Sequence, residues 1–323
     1  NTNGGLDGNS LSGTNDFFLT KDDSLGKREW TRQLGVATKA TQATGVALDG
    51  TGNIYVGGQT NGGLDGNVLT GTNDFFITKY NSSGVKQWTR QIGGVGAFVQ
   101  PGGMATDSSN NVYATGMTFG TFDSIAPTGV VDGFLIKYNS SGTKQWTQLF
   151  GAAGAFVLGR GVTVDSSDGI GVSGATSAGL YGNTLSGTSD ACLLKYNTSG
   201  TRLWTKQLGV AAEDTQALAV TSDSSNNFFI VGSTTGGLDG NSLTGSTDFF
   251  LTKYTSSGTK EWTQQGGGTS EDVAPVASGY GGATDSSGNI YLAGYANTDL
   301  DGISITGSTD AFAIKYSAAG VKQ

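Results

Sequence analysis

Apolar residues in this chain fall in short runs, each cut by Gly, Asn, Asp or Ser before it reaches helical length. One stretch reads Gly45-Val-Ala-Leu-Asp49, Ile54-Tyr-Val-Gly-Gly58, Asp74-Phe-Phe-Ile-Thr-Lys-Tyr80 and Lys86-Gln-Trp-Thr-Arg-Gln-Ile92. β-Branched and aromatic residues dominate these runs, so four short strands are predicted. Asp49-Gly-Thr-Gly-Asn53 and Asn81-Ser-Ser-Gly84 read as tight turns, because Asn, Asp and Gly tolerate positive φ. In the third strand Phe76, Thr78 and Tyr80 face one way, while Phe75, Ile77 and Lys79 face the other. Large apolar groups on both faces mean that both must be covered; a sheet open to water on one side alternates more cleanly.

The pattern recurs. Trp30, Trp88, Trp146, Trp204 and Trp262 stand 58 residues apart, as do Asp16, Asp74, Asp132, Asp190 and Asp248. Asp310 follows after 62, which puts a four-residue insertion within Gly266–Gly282. Short sheets packed between neighbours satisfy two apolar faces at once. The expected fold is therefore all-β: a β-propeller of four-stranded antiparallel blades from a 58-residue repeat, with five to seven blades. A β-solenoid is the main competitor, but its coils use shorter periods. Residues 1–323 are expected to form a single repeat domain, whole or part of a longer chain. Third strands number six against five of each other strand. Either further chain completes a larger propeller, or one spare edge strand is open to a neighbouring subunit.

Gly-Asn-Ile-Tyr-Val (52–56), Gly-Asn-Ile-Tyr-Leu (288–292), Asp-Phe-Phe-Leu-Thr-Lys-Tyr (248–254) and Ser-Ser-Gly-Thr-Lys-Glu-Trp (256–262) recur in fixed order. In these motifs the chain resembles the SBBP family of bacterial β-propeller repeats and, more loosely, the NHL propellers. The resemblance implies a propeller found on secreted or surface-exposed bacterial proteins, and it brings no shared active site.

Composition narrows the choices. Gly is frequent, with 55 residues, and Pro rare, with 3, as suits many tight turns. The net charge of −8 argues against nucleic acid or an anionic membrane as main partner. No apolar run reaches membrane-spanning length, so no membrane insertion is expected. A single Cys, Cys192, rules out an internal disulfide and sits where sister copies carry Phe, so it reads as core filler. There is no His, no Gly-x-Ser-x-Gly elbow and no phosphate loop. No catalytic residue and no enzyme activity are therefore expected.

Residues repeated in every copy read as structural: the Trp series as packing, the Asp before each third strand as a backbone acceptor, and the recurring Lys as an ion pair or a snorkelling stem. Sites belong in the long loops, where copies differ. Asp7, Asp65 and Asp239 recur in Leu-Asp-Gly, with Asp123 and Asp301 in register and Tyr181 in the remaining slot. Asp oxygens suit Ca²⁺, so Asp7, Asp65, Asp239 and Asp301 are candidate calcium ligands, and calcium is the one cofactor suggested. The loops before the first strands carry Lys39-Ala40, Ala97-Phe98, Ala155-Phe156, Glu213-Asp214 and Glu271-Asp272 at matching positions, with Arg160 and Tyr280 assigned to the same loops. Phe98, Phe156, Arg160, Glu213, Asp214, Glu271, Asp272 and Tyr280 are candidate binding residues. The function expected is a non-enzymatic, secreted or cell-surface structural or assembly protein whose partners are protein subunits. The alternative is a protein- or glycan-binding module that uses the long loops.

Overall fold

The computed structural model describes residues 1–268, 272–273, 281–297, 299–300, 303–304 and 306–323. It divides into two compact units, Asn1–Leu149 and Phe150–Gln323. In the first unit β1 (Phe17–Asp22) and β2 (Arg28–Leu34) form a two-stranded sheet. Next come β3 (Thr41–Leu48), β4 (Ile54–Thr60), β5 (Asp74–Tyr80) and β6 (Lys86–Ile92), hydrogen-bonded in that order. The sheet of β7 (Phe98–Thr106), β8 (Val112–Phe119), β9 (Asp132–Tyr138) and β10 (Lys144–Phe150) follows.

The second unit repeats the plan. One sheet is β11 (Val157–Val164), β12 (Ile170–Thr176), β13 (Asp190–Tyr196) and β14 (Arg202–Leu208). Another is β15 (Thr215–Ser222), β16 (Phe228–Thr234), β17 (Asp248–Tyr254) and β18 (Lys260–Gly266). In the last, β19 (Asp272–Val273) and β20 (Gly282–Thr284) pair successive stretches of β21 (Ile290–Ala296), whose other side pairs β22 (Asp310–Tyr316). The inserted residues fall between β19 and β20.

The chain is thus an all-β propeller of antiparallel four-stranded blades, and its described residues form six sheets. Of the six third strands, β1 pairs with the fourth strand β2 and β22 pairs with β21. The prediction that third strands are covered on both faces holds for β5, β9 and β13, buried at all seven positions, while β1 and β22 leave positions exposed. Third-strand side chains meet those of the next sheet. In the first unit Phe17 stacks on Phe76 at 5.3 Å, and Phe75 meets Phe134 at 5.9 Å. Tyr55, Phe75, Ile77, Met104, Phe134 and Ile136 form one continuous core. Burying each such side chain contributes about 1.5–3 kcal/mol.

The repeated Trp joins neighbouring blades. The Nε1 of Trp88 donates to Ser140 O at 3.3 Å, and that of Trp204 to Ser256 O at 3.2 Å. The third-to-fourth hairpin of the next blade lies against the indole. Gly84 at its tip has φ +73, and a Cβ there would come within 2.9 Å of Trp30. Gly142, Gly258 and Gly320 stand in the same relation to Trp88, Trp204 and Trp262. A hairpin Gly is required here both for its backbone conformation and for the close approach. Arg32 and Arg90 lie over the Trp30 and Trp88 rings and donate to Gly84 O and Gly142 O.

At three positions the recurring Lys is a buried ion pair, one of the two readings expected. Lys79, Lys137 and Lys195 are buried beside Asp49, Asp107 and Asp165, at 3.8, 3.6 and 3.2 Å. These Asp residues also close the first-to-second turns, for example by accepting from the Thr51 and Asn53 backbones. The Asp before each third strand caps its own loop: Asp74 accepts from the Thr70 and Gly71 backbones, both at 2.8 Å.

Candidate functional site

The long loops of the first unit bring one group of unusual residues together. Loop 93–97 leaves β6, and loop 120–131 leaves β8. Gly94 permits their contact, since a Cβ there would collide with Thr121 O. Asp123 donates its backbone N–H to Gly93 O at 3.0 Å, which ties the loops together. A cleft of about 590 Å³ opens between them, lined by Thr70, Gln91, Gly94, Val95, Thr121 and Ser124 among others.

Beside these loops the last residue of β8 meets the first of β7. The rings of Phe98 and Phe119 pack edge to face, 6.0 Å apart at 73°. Phe98 is 38% exposed and Phe119 41%, and Val95, in the loop before Phe98, is 92% exposed. The matching positions elsewhere are built differently. Asn61 Oδ1, Ser177 Oγ and Thr235 Oγ1 accept the backbone N–H of Ala40, Phe156 and Asp214, at 2.8, 3.0 and 2.9 Å. A polar cap is the repeat's own solution at this place. In this copy Phe119 gives up the cap and offers an apolar surface to water.

Other candidate residues are dispersed. Phe156 is half exposed at the start of its strand's approach. Glu213 and Asp214 diverge: Glu213 Oε2 accepts from Thr235 Oγ1 at 2.7 Å, and Asp214 Oδ2 from Gln216 Nε2 at 2.8 Å. Arg160, assigned to a loop from sequence, instead lies inside β11, at the bulge between Gly159 and Gly161. Glu271, Tyr280 and Asp301 lie outside the described residues, and Asp272 is described only as backbone of β19.

The candidate calcium ligands each serve their own blade. Asp65 pairs with Lys86 and accepts from Thr89 Oγ1 at 2.5 Å. Asp7 engages Arg28 and Thr31, Asp123 engages Lys144 and Thr147, and Asp239 engages Lys260 and Thr263. The Thr31 hydroxyl beside Asp7 holds that carboxyl below its ordinary value. In the remaining copy the cation is kept and the acid is not: Arg202 lies 3.5 Å above the Tyr181 ring, a cation–π contact in place of an ion pair. Among the described residues no three acidic, His or Cys side chains gather as a metal site.

Sequence reasoning missed a further structural residue. Gln91 Oε1 accepts from Leu64 N at 2.9 Å, while its Nε2 donates to Gly62 O and Asp74. Gln33, Gln207 and Gln265 make the same clip. The signal was a Gln at the 58-residue spacing, absent only as Leu149, in the copy whose long loop departs from the rest.

Comparison with known proteins supports the fold. Regulatory protein FlaEY of Caulobacter vibrioides is 28% identical over 152 residues, covering 44% of this chain and 15% of its own. An uncharacterized WD repeat-containing protein of Acanthamoeba polyphaga mimivirus is 23% identical, covering 62% and 19%. The chain thus spans less than a fifth of either relative. The α-L-arabinofuranosidase Arb93A of Fusarium graminearum superposes with a TM-score of 0.50 at 8% identity, covering 96% of this chain and 84% of that one. The polysaccharide lyase Uly1 gives 0.48 at 9%, covering 95% and 75%. Likeness at 8% identity shows the fold alone. The expectation that the chain is not an enzyme does not stand, since the fold it shares with the arabinofuranosidase Arb93A is one that enzymes use. That expectation treated missing His and nucleophile motifs as an exclusion, whereas carboxylates, Tyr and Arg also carry acid–base and electrostatic catalysis. No helix among the described residues is long and apolar enough to cross a membrane. Residues 29–65 and 87–123 match the SBBP beta-propeller repeat, and the chain is a β-propeller repeat protein carrying that unit.

Proposed function

We propose that the chain is a binding module, secreted or at the cell surface, that engages a protein partner through the long loops of its first unit. The observation that carries this reading is the Phe98–Phe119 pair. It is exposed, and it replaces a polar cap that sister copies keep at the same backbone position. Aromatic anchors beside apolar neighbours such as Val95 favour a protein surface, where a few buried side chains carry most of the affinity. The net charge of −8 and the sparse charge of the chain suit an exposed, soluble scaffold. The structural or assembly role is the special case in which the partner is another copy of the chain.

The test is Phe119→Asn, which restores the cap that Asn61 provides. The variant keeps the wild-type melting temperature and loses about tenfold or more in affinity for a partner isolated by cross-linking from the native surface. Sedimentation of the purified chain identifies self-association if that partner is a second copy. Unchanged affinity in Phe119→Asn, or binding that survives removal of surface protein by protease, overturns the proposal; the latter points to glycan.

A further inference from the structure

Each first strand that carries its bulge in the described residues places an extra residue there: Thr44 in β3, Gly102 and Gly103 in β7, Arg160 in β11 and Leu218 in β15. A hydroxyl, glycines or an apolar group all suffice, so the bulge does not need a cation. Arg160 is half-buried, and its Nε is shielded from water without a hydrogen-bond partner. Among the described residues no carboxylate forms an ion pair with it, whereas most of the second unit's other cations are committed: Lys195 to Asp165, Lys253 to Glu261, Lys260 to Asp239, and Arg202 to the Tyr181 ring. Burial lowers the Arg160 pKa. A guanidinium taken out of water without a counter-charge is strongly unfavourable. Its planar fork of donors matches a carboxylate, sulfate or phosphate group.

We propose that Arg160 is the anchor of an anion-binding site in the second unit, which receives the oxyanion group of a small ligand. The site is separate from the aromatic pair of the first unit, and neither reading depends on the other. The ligand's oxyanion supplies the counter-charge that this half-buried guanidinium lacks.

Melting temperature is read in chloride buffer at constant ionic strength, with sodium glucuronate, sodium sulfate, sodium phosphate or neutral glucose as probes. Glucuronate reports a sugar carboxylate, sulfate and phosphate report inorganic-type oxyanions, and glucose reports the sugar alone. At saturation an oxyanion probe raises the wild-type melting temperature by about 5 °C. Arg160→Gln shows no such rise. Without any probe, Arg160→Met melts at or above wild type, because an uncompensated cation has been replaced by an apolar group of similar length. Equal responses of wild type and Arg160→Gln to every probe overturn the proposal, as does Arg160→Met melting several degrees below wild type in probe-free buffer, which marks the residue as structural.

Discussion

Asp74 and Asp132 occupy the same place in neighbouring blades, yet the same substitution has unequal consequences. Asp74 is fully buried. Its carboxylate accepts from the backbones of Thr70 and Gly71, from the Thr70 hydroxyl at 3.1 Å and from Gln91 Nε2 at 3.0 Å. In Asp74→Asn one oxygen becomes an NH₂. Whichever it is, the N–H of Thr70 or Gly71 then faces a donor. A hydrogen bond to a charged acceptor contributes about 1.5–3 kcal/mol and a neutral one about 1. One bond lost and the others weakened costs about 4 kcal/mol by the same figures. Among the described residues Asp132 accepts only from the Thr128 and Gly129 backbones, because Leu149 fills the Gln slot. Asp132→Asn then costs about 2 kcal/mol. At about 2 °C per kcal/mol for a chain of this size, melting falls by about 8 °C and about 4 °C respectively. Scanning calorimetry of the two variants beside wild type measures both. Equal losses, or a larger loss at Asp132, refute the account.

Two further outcomes follow from buried groups. Burial pushes the Asp49 carboxyl up, but hydrogen bonds from Asn53 and Thr51 prevail and hold it at about 2, below its ordinary 3.8. A carboxyl depressed in the folded state stabilises it above the ordinary pKa, and that stability is lost as pH falls through the folded value. Melting temperature therefore falls between about pH 4 and about pH 2, and falls less steeply in Asp49→Asn; parallel curves would show that Asp49 contributes nothing. Burial pushes the Cys192 thiol up to about 12, so no thiolate forms near neutral pH. A maleimide reagent should label it only in denaturant, and rapid labelling of the native protein contradicts its placement in the core.

Much of the blade was legible because local chemistry marks its parts. The third and fourth strands, Asp74–Tyr80 and Lys86–Ile92, fall where the apolar runs and turn residues put them. The first strand was read too short. Its outer half, Thr41–Thr44, carries few apolar residues and is paired through a bulge that no local pattern announces. For the same reason Arg160 was placed in a loop. Asp65 drew a calcium assignment from its type and neighbours, but Lys86 and Thr89, more than twenty residues away, occupy its oxygens. The Phe98–Phe119 pair was half visible. Phe98 stood out among its counterparts, while Phe119 acquires meaning only once the register of β7 on β8 makes it that residue's partner.

The Trp-and-hairpin joint has a consequence for how such a chain lengthens. Both halves of the joint, the indole and the glycine-tipped turn that covers it, are encoded within one 58-residue period. A tandem duplication in frame therefore inherits a working interface with no compensating mutation elsewhere. Stability then accrues copy by copy from nearest-neighbour contacts. The long loops take no part in that joint, so a newborn copy is free to diverge there at once, and the stretch from Phe119 to Val131 reads as the outcome of such freedom.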